Sequence, residues 1–213
     1  MSVPCGYCSE CLNRKRREWT FRNEQQLRKS GTGHFVTFTY EDENLPRNDL
    51  GWATLNKPDV QNFLKRLRKN LPDKEIKYFI VGEYGPKTLR PHYHGLLYGL
   101  DAQTYYRDVE KAWSIQGKPI GNTHFAQINQ ATIMYCAKYH LKGKVADRYT
   151  PELELTPEFT LVSKGFGLEF LQDKVVDYVD QLNSKIIPWN QEKIKLPKYY
   201  TDKIEKFLRN EDP

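Results

Sequence analysis

No stretch of the chain approaches the roughly 18 consecutive apolar residues that would be read as a membrane span. The first residues contain no apolar core of the length that a secretory signal needs, so the chain is expected to be soluble and intracellular. Cysteine is scarce, at four in 213 residues. That is too few for the disulfide framework of a small secreted domain, which directs attention to metal binding or free thiols instead. The sequence shows no internal repeat and no low-complexity linker, which sets aside solenoids and tandem arrays.

Basic residues and tyrosine are the abundant features. Lys and Arg number 33 against 27 Asp and Glu, a formal charge of +6 and a pI near 9.0. The excess favours a polyanionic partner, though it discriminates weakly by itself. Aromatic residues make up 13%, with 14 tyrosines, a side chain suited to half-wet surfaces that stack or hydrogen-bond. With 38% hydrophobic and 28% charged residues, the chain is long enough for one domain with a sizeable core, or one domain with a terminal extension.

Hydrophobic periodicity supplies the elements. Three cysteines, Cys5, Cys8 and Cys11, precede a basic run, Asn13-Arg14-Lys15-Arg16-Arg17. The run leads into a helix reaching about Leu27, with Leu12, Trp19 and Leu27 as its buriable groups. Gly31-Thr32-Gly33 ends it, and residues 34–40 read as a strand rich in aromatic and β-branched side chains. Residues 41–51 form a loop. A strongly amphipathic helix spans 54–71, with Pro58 in its first turn and Val60, Phe63, Leu64, Leu67 and Leu71 on one stripe. Strands at 76–81 and 92–98 make a hairpin around Gly85-Pro86-Lys87. Asp101 caps a helix through Trp113, a short strand covers 123–128, and a helix covers 131–141, ending near Gly143. Beyond it lie a Glu- and Pro-containing loop (148–160), a helix over about 168–184 and a proline-spaced tail. The order indicates an α+β fold, an antiparallel sheet with helices packed on it.

Two groups carry chemistry. His92 and His94 stand two apart on a strand, so both rings point to one face, roughly 6.5–7 Å apart along the chain. Glu83 closes the preceding strand, and a hairpin brings it beside them. Two imidazoles and a carboxylate leave coordination positions open for a phosphodiester oxygen on Mg²⁺ or Mn²⁺; the plainer alternative is a pair of rings that are merely hydrogen-bonded. Tyr135 and Tyr139 stand four apart on a helix, so their hydroxyls share a face, and each is followed three residues later by a lysine, Lys138 and Lys142. A phenol with a pKa near 10 is a weak nucleophile, and a neighbouring cation strengthens it. The plainer alternative here is a helix that packs its tyrosines on the sheet.

Together these motifs resemble the HUH endonucleases. Residues 35–39 look like the family's first motif, Pro91-His92-Tyr93-His94-Gly95 its metal motif, and residues 135–142 a doubled tyrosine motif. The resemblance is closer still to the replication initiators of microviruses, particularly gokushovirus-like single-stranded DNA phages. It covers nearly the whole chain: Cys5-Gly6-Tyr7-Cys8-Ser9-Glu10-Cys11, residues 63–69, Glu83-Tyr84-Gly85, residues 90–95, Ser163-Lys164-Gly165-Phe166-Gly167 and Leu196-Pro197-Lys198-Tyr199-Tyr200. The implied fold is a Rep-like, ferredoxin-related antiparallel sheet with the histidine strand central and the tyrosine helix beside it.

The implied activity is rolling-circle initiation: a metal-dependent nick in single-stranded DNA by Tyr135 or Tyr139, a 5′-phosphotyrosine link, a free 3′-OH, and later rejoining. The implied partners are the origin or replicative-form DNA and the host helicase and polymerase, in the cytoplasm of a bacterial cell. Arg14, Lys15, Arg16, Arg17, Lys65, Arg66, Arg68 and Lys69 are candidates for tracking phosphates, with Trp52 and Tyr84 for stacking bases. Cys5, Cys8 and Cys11 are candidate structural zinc ligands, with Cys136 or one of His34, His124 and His140 as the fourth. The expected organisation is a cysteine-containing basic segment (1–30) packed on a core (31–147), with an extension (148–213) belonging to the same domain. A non-catalytic DNA-binding or packaging protein, and a relaxase or transposase of the same chemistry, are the alternative functions.

Overall fold

The computed structural model describes residues 4–142, 150–172 and 186–209. The chain divides into two compact units, Met1–Phe166 and Gly167–Pro213. The first opens with helix α1, Ser9–Ser30, and Gly31 ends it in the left-handed conformation (φ 68°) that glycine adopts without a Cβ penalty. Strand β1, Gly33–Phe38, follows. Helix α2, Lys57–Asn70, carries Pro58 in its first turn and buries Val60, Phe63, Leu64 and Leu67 as one stripe. Strands β2, Lys77–Tyr84, and β3, Pro91–Tyr98, form the expected hairpin. Helix α3, Ala102–Ala112, is capped by the Asp101 carboxylate, which accepts the Gln103 N–H. A two-residue hairpin, β4 (Ser114–Ile115) with β5 (Lys118–Pro119), leads to β6, Thr123–Gln127. Helix α4, Gln130–Lys142, comes next, and after a short helix at Thr150–Leu153, strand β7 covers Phe159–Val162.

Five strands make one antiparallel sheet in the order β6-β1-β3-β2-β7, with β3 at its centre. Strand alternation divides the apolar side chains between two cores. Val36, Phe38, Ile80, Tyr93 and Leu97 face α2 and α3, around Phe63, Leu67 and Trp113. Phe79, Val81, Leu96 and Tyr98 face α4 through Ile133 and Cys136, with Trp19 and Leu27 of α1 packed alongside. The unit is thus a sheet between two helical layers, α1 with α4 and α2 with α3.

Three expectations are corrected. Residues 159–162, which read as loop and its margin, form β7 and pair with β2. Strand β2 runs on to Tyr84, past Gly82, because a glycine is required there: a Cβ at position 82 would come within 3.1 Å of both Leu55 and Tyr93. The proline-spaced tail contains a hairpin, Ile186–Trp189 with Glu192–Lys195, and a helix, Lys198–Leu208. These last elements belong to the second unit, where Phe170 and Tyr200 stack at 5.1 Å and the Tyr200 hydroxyl donates to the Gly167 carbonyl. A short helix at Glu169–Gln172 covers the start of the segment that reads as helical over 168–184, while 173–184 and Gly143 lie outside the described residues.

Candidate active site

Strand register assembles the first three residues of the site. Glu83 is the direct partner of His92 across β2 and β3, and His94 follows two positions on, on the same face. The Glu83 Oε1 atom lies 2.9 Å from His92 Nε2 and 3.0 Å from His94 Nε2. One ligand atom from each of the three residues falls within 4.8 Å of the others.

The hydrogen bonds around the rings decide what these atoms can do. The His92 Nδ1 atom lies 3.1 Å from the Arg90 carbonyl, which can only accept, so Nδ1 carries the proton and Nε2 presents its lone pair. The His94 Nδ1 atom is 2.9 Å from Thr37 Oγ1 on β1, its neighbour in register. Both rings therefore aim Nε2 at one carboxylate, an arrangement that requires a cation or added protons between them. Glu83 is 3% exposed, and its Oε2 is buried with no hydrogen-bond partner among the described residues. An orphaned buried carboxylate oxygen beside two imidazole lone pairs fits a divalent cation of the Mg²⁺ or Mn²⁺ kind.

The titration behaviour follows from this packing. Burial works against the Glu83 charge, but hydrogen bonds from His92 and His94, and their charge, outweigh it and hold the carboxyl at about 2. Burial likewise opposes the His92 charge, yet its bond to Glu83 raises the imidazole above its ordinary value. Glu158, just ahead of β7, adds to that rise through its negative charge. Glu158 also accepts the Tyr84 N–H at 3.3 Å. Sequence reasoning does not find this residue, because it lies in a stretch with the composition of a loop.

Helix α4 delivers the phenol. Asn129 and Thr132 cap its start reciprocally: the Asn129 side chain accepts the Thr132 N–H, and the Thr132 hydroxyl accepts the Asn129 N–H, each at 3.0 Å. Ile133, Cys136, Ala137 and Leu141 are buried, which fixes the rotation of the helix on the sheet. Tyr135 then reaches over the histidine strand. Its hydroxyl donates to Glu83 Oε1 at 3.0 Å and lies 3.2 Å from His94 Nε2. The ring meets His94 edge-on at 5.0 Å, and Phe35 stacks on the other side of the same imidazole at 5.3 Å. Tyr135 remains 36% exposed, so a strand of DNA can approach it. Burial, a hydrogen bond with Tyr139 and the Glu83 charge all raise its pKa in the metal-free protein. The Tyr139 ring lies 4.6 Å from that of Tyr135. Lys138 is exposed on α4, and the Lys142 side chain lies outside the described residues.

The other sequence candidates are dispersed. Lys65, Arg66, Arg68 and Lys69 ride on α2, in the helical layer across the sheet from the site. Arg66 is engaged there, donating to the Ala112 carbonyl at 2.8 Å, and Arg68 lies over the Tyr78 ring. Arg14, Lys15, Arg16 and Arg17 stand on α1, in the same layer as α4. Trp52 is half exposed in its loop, whereas Tyr84 is buried and bonded to Thr54, Leu55 and Thr156, which removes it as a base-stacking surface. Cys5, Cys8 and Cys11 cluster, but Cys136 lies in the core beneath α4 and not with them.

Residues 33–144 match the family model of the replication-associated protein ORF2. The chain is similar to replication-associated protein ORF2 of Spiroplasma virus 4, with 32% identity over 99% of this chain and 70% of that protein. Replication-associated protein ORF4 of Chlamydia phage 1 is 26% identical over 97% of this chain and 54% of its own length. Replication-associated protein VP4 of Bdellovibrio phage phiMH2K is 27% identical over 96% and 68%. No solved structure matches the chain. The region matched by the family model holds the whole Glu83–His92–His94–Tyr135 cluster, and the chain belongs to this family of replication-associated proteins, among the replication proteins of microviruses.

Proposed function

We propose that the protein is a rolling-circle initiator that nicks one DNA strand at an origin with Tyr135 and keeps the 5′ end as a phosphotyrosine. The observation that carries this reading is the Tyr135 hydroxyl at 3.0 Å from Glu83 Oε1 and 3.2 Å from His94 Nε2. A nucleophile and a ligand set that share one phosphate's worth of space are what in-line attack on a phosphodiester requires.

A divalent cation on Glu83, His92 and His94 would supply positive charge beside the scissile phosphate. The Tyr135 oxygen forms a bond to phosphorus, and the bond from phosphorus to the 3′-oxygen of the preceding nucleotide breaks. The phenol proton departs along the hydrogen bond to Glu83 Oε1, and the 3′-oxygen takes a proton from solvent. One phosphoester replaces another, so rejoining needs no nucleoside triphosphate. Tyr139, in ring contact with Tyr135, is the second phenol for cutting again when a copied circle closes. Lys138 and Lys142 neutralise charge on the phosphate, and the free 3′-OH primes a host polymerase, with a host helicase opening the duplex ahead of it.

Incubating the protein with single-stranded origin oligonucleotides and Mn²⁺, then separating the products under denaturing conditions, tests the reading. The wild type is expected to give a shortened strand and a protein-linked fragment. Y135F should lower first-strand linkage by on the order of a thousandfold while oligonucleotide binding persists. Binding without cleavage by the wild type would point to a non-catalytic DNA-binding role.

A further inference from the structure

Apart from the nuclease cluster, one other group of metal-ligating side chains stands together among the described residues. We propose that Cys5, Cys8 and Cys11 form a three-thiolate site for a soft divalent cation of the zinc class. It pins the first residues of the chain to the start of α1 and leaves its fourth coordination position to a ligand other than Cys136.

The geometry is close to that of a loaded site. All three sulfurs lie within 4.8 Å of one another, and Cys5 Sγ is 4.0 Å from Cys11 Sγ. A tetrahedral ion with metal–sulfur bonds of about 2.3 Å holds its sulfurs about 3.8 Å apart. The backbone is shaped for convergence. Gly6 takes φ +84°, a left-handed turn that returns the chain, and the Cys8 N–H then donates to Cys5 Sγ at 3.3 Å. Cys8 is the N-cap of α1 and Cys11 lies in its first turn, so all three sulfurs gather at the helix end that favours negative charge. Backbone N–H bonds from Tyr7 and Cys8 bring the Cys5 thiol down to about 7, within reach of ionisation at neutral pH.

The surroundings fit the charge of such a site. Three thiolates around a dication carry one net negative charge, and Lys15 brings its ammonium to 3.2 Å from the Gly6 carbonyl at the centre of the turn. Cys5 and Cys8 are exposed and Cys11 is buried, so an ion can enter from solvent and seat against the helix.

No fourth protein ligand joins the group among the described residues. Cys136 is fully buried among Phe79, Leu96 and Tyr98, where burial pushes its thiol up and disfavours the thiolate a metal needs. The histidines are placed elsewhere: His34 is 3.9 Å from Asp101, His140 bonds Thr160, and His124 sits exposed on β6. The two clusters differ in softness: sulfur ligands select zinc-like ions, whereas Glu83 with two histidines suits harder ones. The cysteine site therefore stands whether or not the nicking reading does.

Cobalt(II) titration of the full chain, purified under reducing conditions without a metal-affinity step, tests the proposal. The expected result is one equivalent of cobalt with sulfur-to-metal charge-transfer absorption, displaced by one equivalent of zinc. Cys136→Ala and the His92→Ala/His94→Ala pair should retain that absorption. Cys5→Ser/Cys8→Ser, at exposed positions, should lose it while circular dichroism and melting stay native. Absence of a sulfur band in the reduced wild type would overturn the proposal. So would its persistence in Cys5→Ser/Cys8→Ser, or its loss in a folded Cys136→Ala. An intact mass short by two hydrogens in protein kept with zinc would show a disulfide in place of the site, and would overturn it equally.

Discussion

A buried phenol next to a carboxylate is a poor nucleophile, and the surroundings of Tyr135 make this concrete. Burial, Tyr139 and the Glu83 charge all favour the protonated form, so positive charge must arrive before the oxygen can attack. Glu83 and His92 determine when it can. With its carboxyl held at about 2, Glu83 remains a ligand across the whole neutral range. His92 is raised above its ordinary 6.5, and a protonated imidazole cannot ligate. Mn²⁺ affinity, followed by titration calorimetry, is therefore expected to climb as pH rises through the raised His92 value, with proton release on binding. In metal-free protein the sign reverses on the alkaline side. The raised His92 contributes stability below its ordinary value and loses it as pH rises through the folded-state value. The depressed Glu83 contributes above its ordinary value of 4.5 and loses that contribution as pH falls toward about 2. Melting temperature in chelator should thus peak between these limits, and E83Q should flatten the peak.

At the level of elements, the site depends on register and on the rotation of one helix. Gly82 sits next to Glu83 and pairs with Tyr93, whose ring fills the space a side chain would need. Gly82→Val should cost about 1–3 kcal/mol of stability through overpacking and weaken Mn²⁺ binding by shifting Glu83, as read by melting and metal titration. Much of this level is legible in the sequence. The two-residue spacing of His92 and His94, the Glu83 hairpin and the four-residue spacing of the tyrosines are direct consequences of strand and helix periods. The Pro58 start of α2 and the Gly31 end of α1 are readable from their chemistry. Strand β7 is not, because Phe159 to Val162 are all only partly buried at the sheet edge, and an edge strand of four residues shows no alternation. The hairpin of the second unit is hidden by Pro188 inside a strand and by a turn at Asn190 and Gln191, both at positive φ, in place of the usual Asn-Gly. Tyr84 misleads for another reason. Its ring next to the Gly85 turn suggests a stacking surface, but alternation along β2 turns it inward onto Thr54 and Leu55.

Across the whole first unit, the sheet separates two basic regions. Charge alone nominates α1 and α2 equally, and only the packing of α2 with α3 against the opposite face puts its lysines away from Tyr135. Arg14→Glu with Lys138→Glu, both exposed positions in the α1 and α4 layer, should weaken single-stranded DNA binding. It should also reduce the salt dependence by about 0.7 in slope for each phosphate no longer neutralised. Lys65→Glu with Lys69→Glu on α2 should change both far less, as measured by fluorescence anisotropy over a salt series. Membrane association is not built into the described helices, none of which is long and apolar enough to cross a bilayer. The central claim remains that the phenol seated on Glu83 and His94 is the one that takes the DNA. Trapping the covalent product with Mn²⁺, digesting the protein and locating the nucleotide remnant by tandem mass spectrometry addresses it directly. The account predicts a phosphotyrosyl remnant on Tyr135, absent from E83A and H94A. A remnant found only on residues outside α4, or one formed undiminished when Glu83 and His94 are removed, would contradict it.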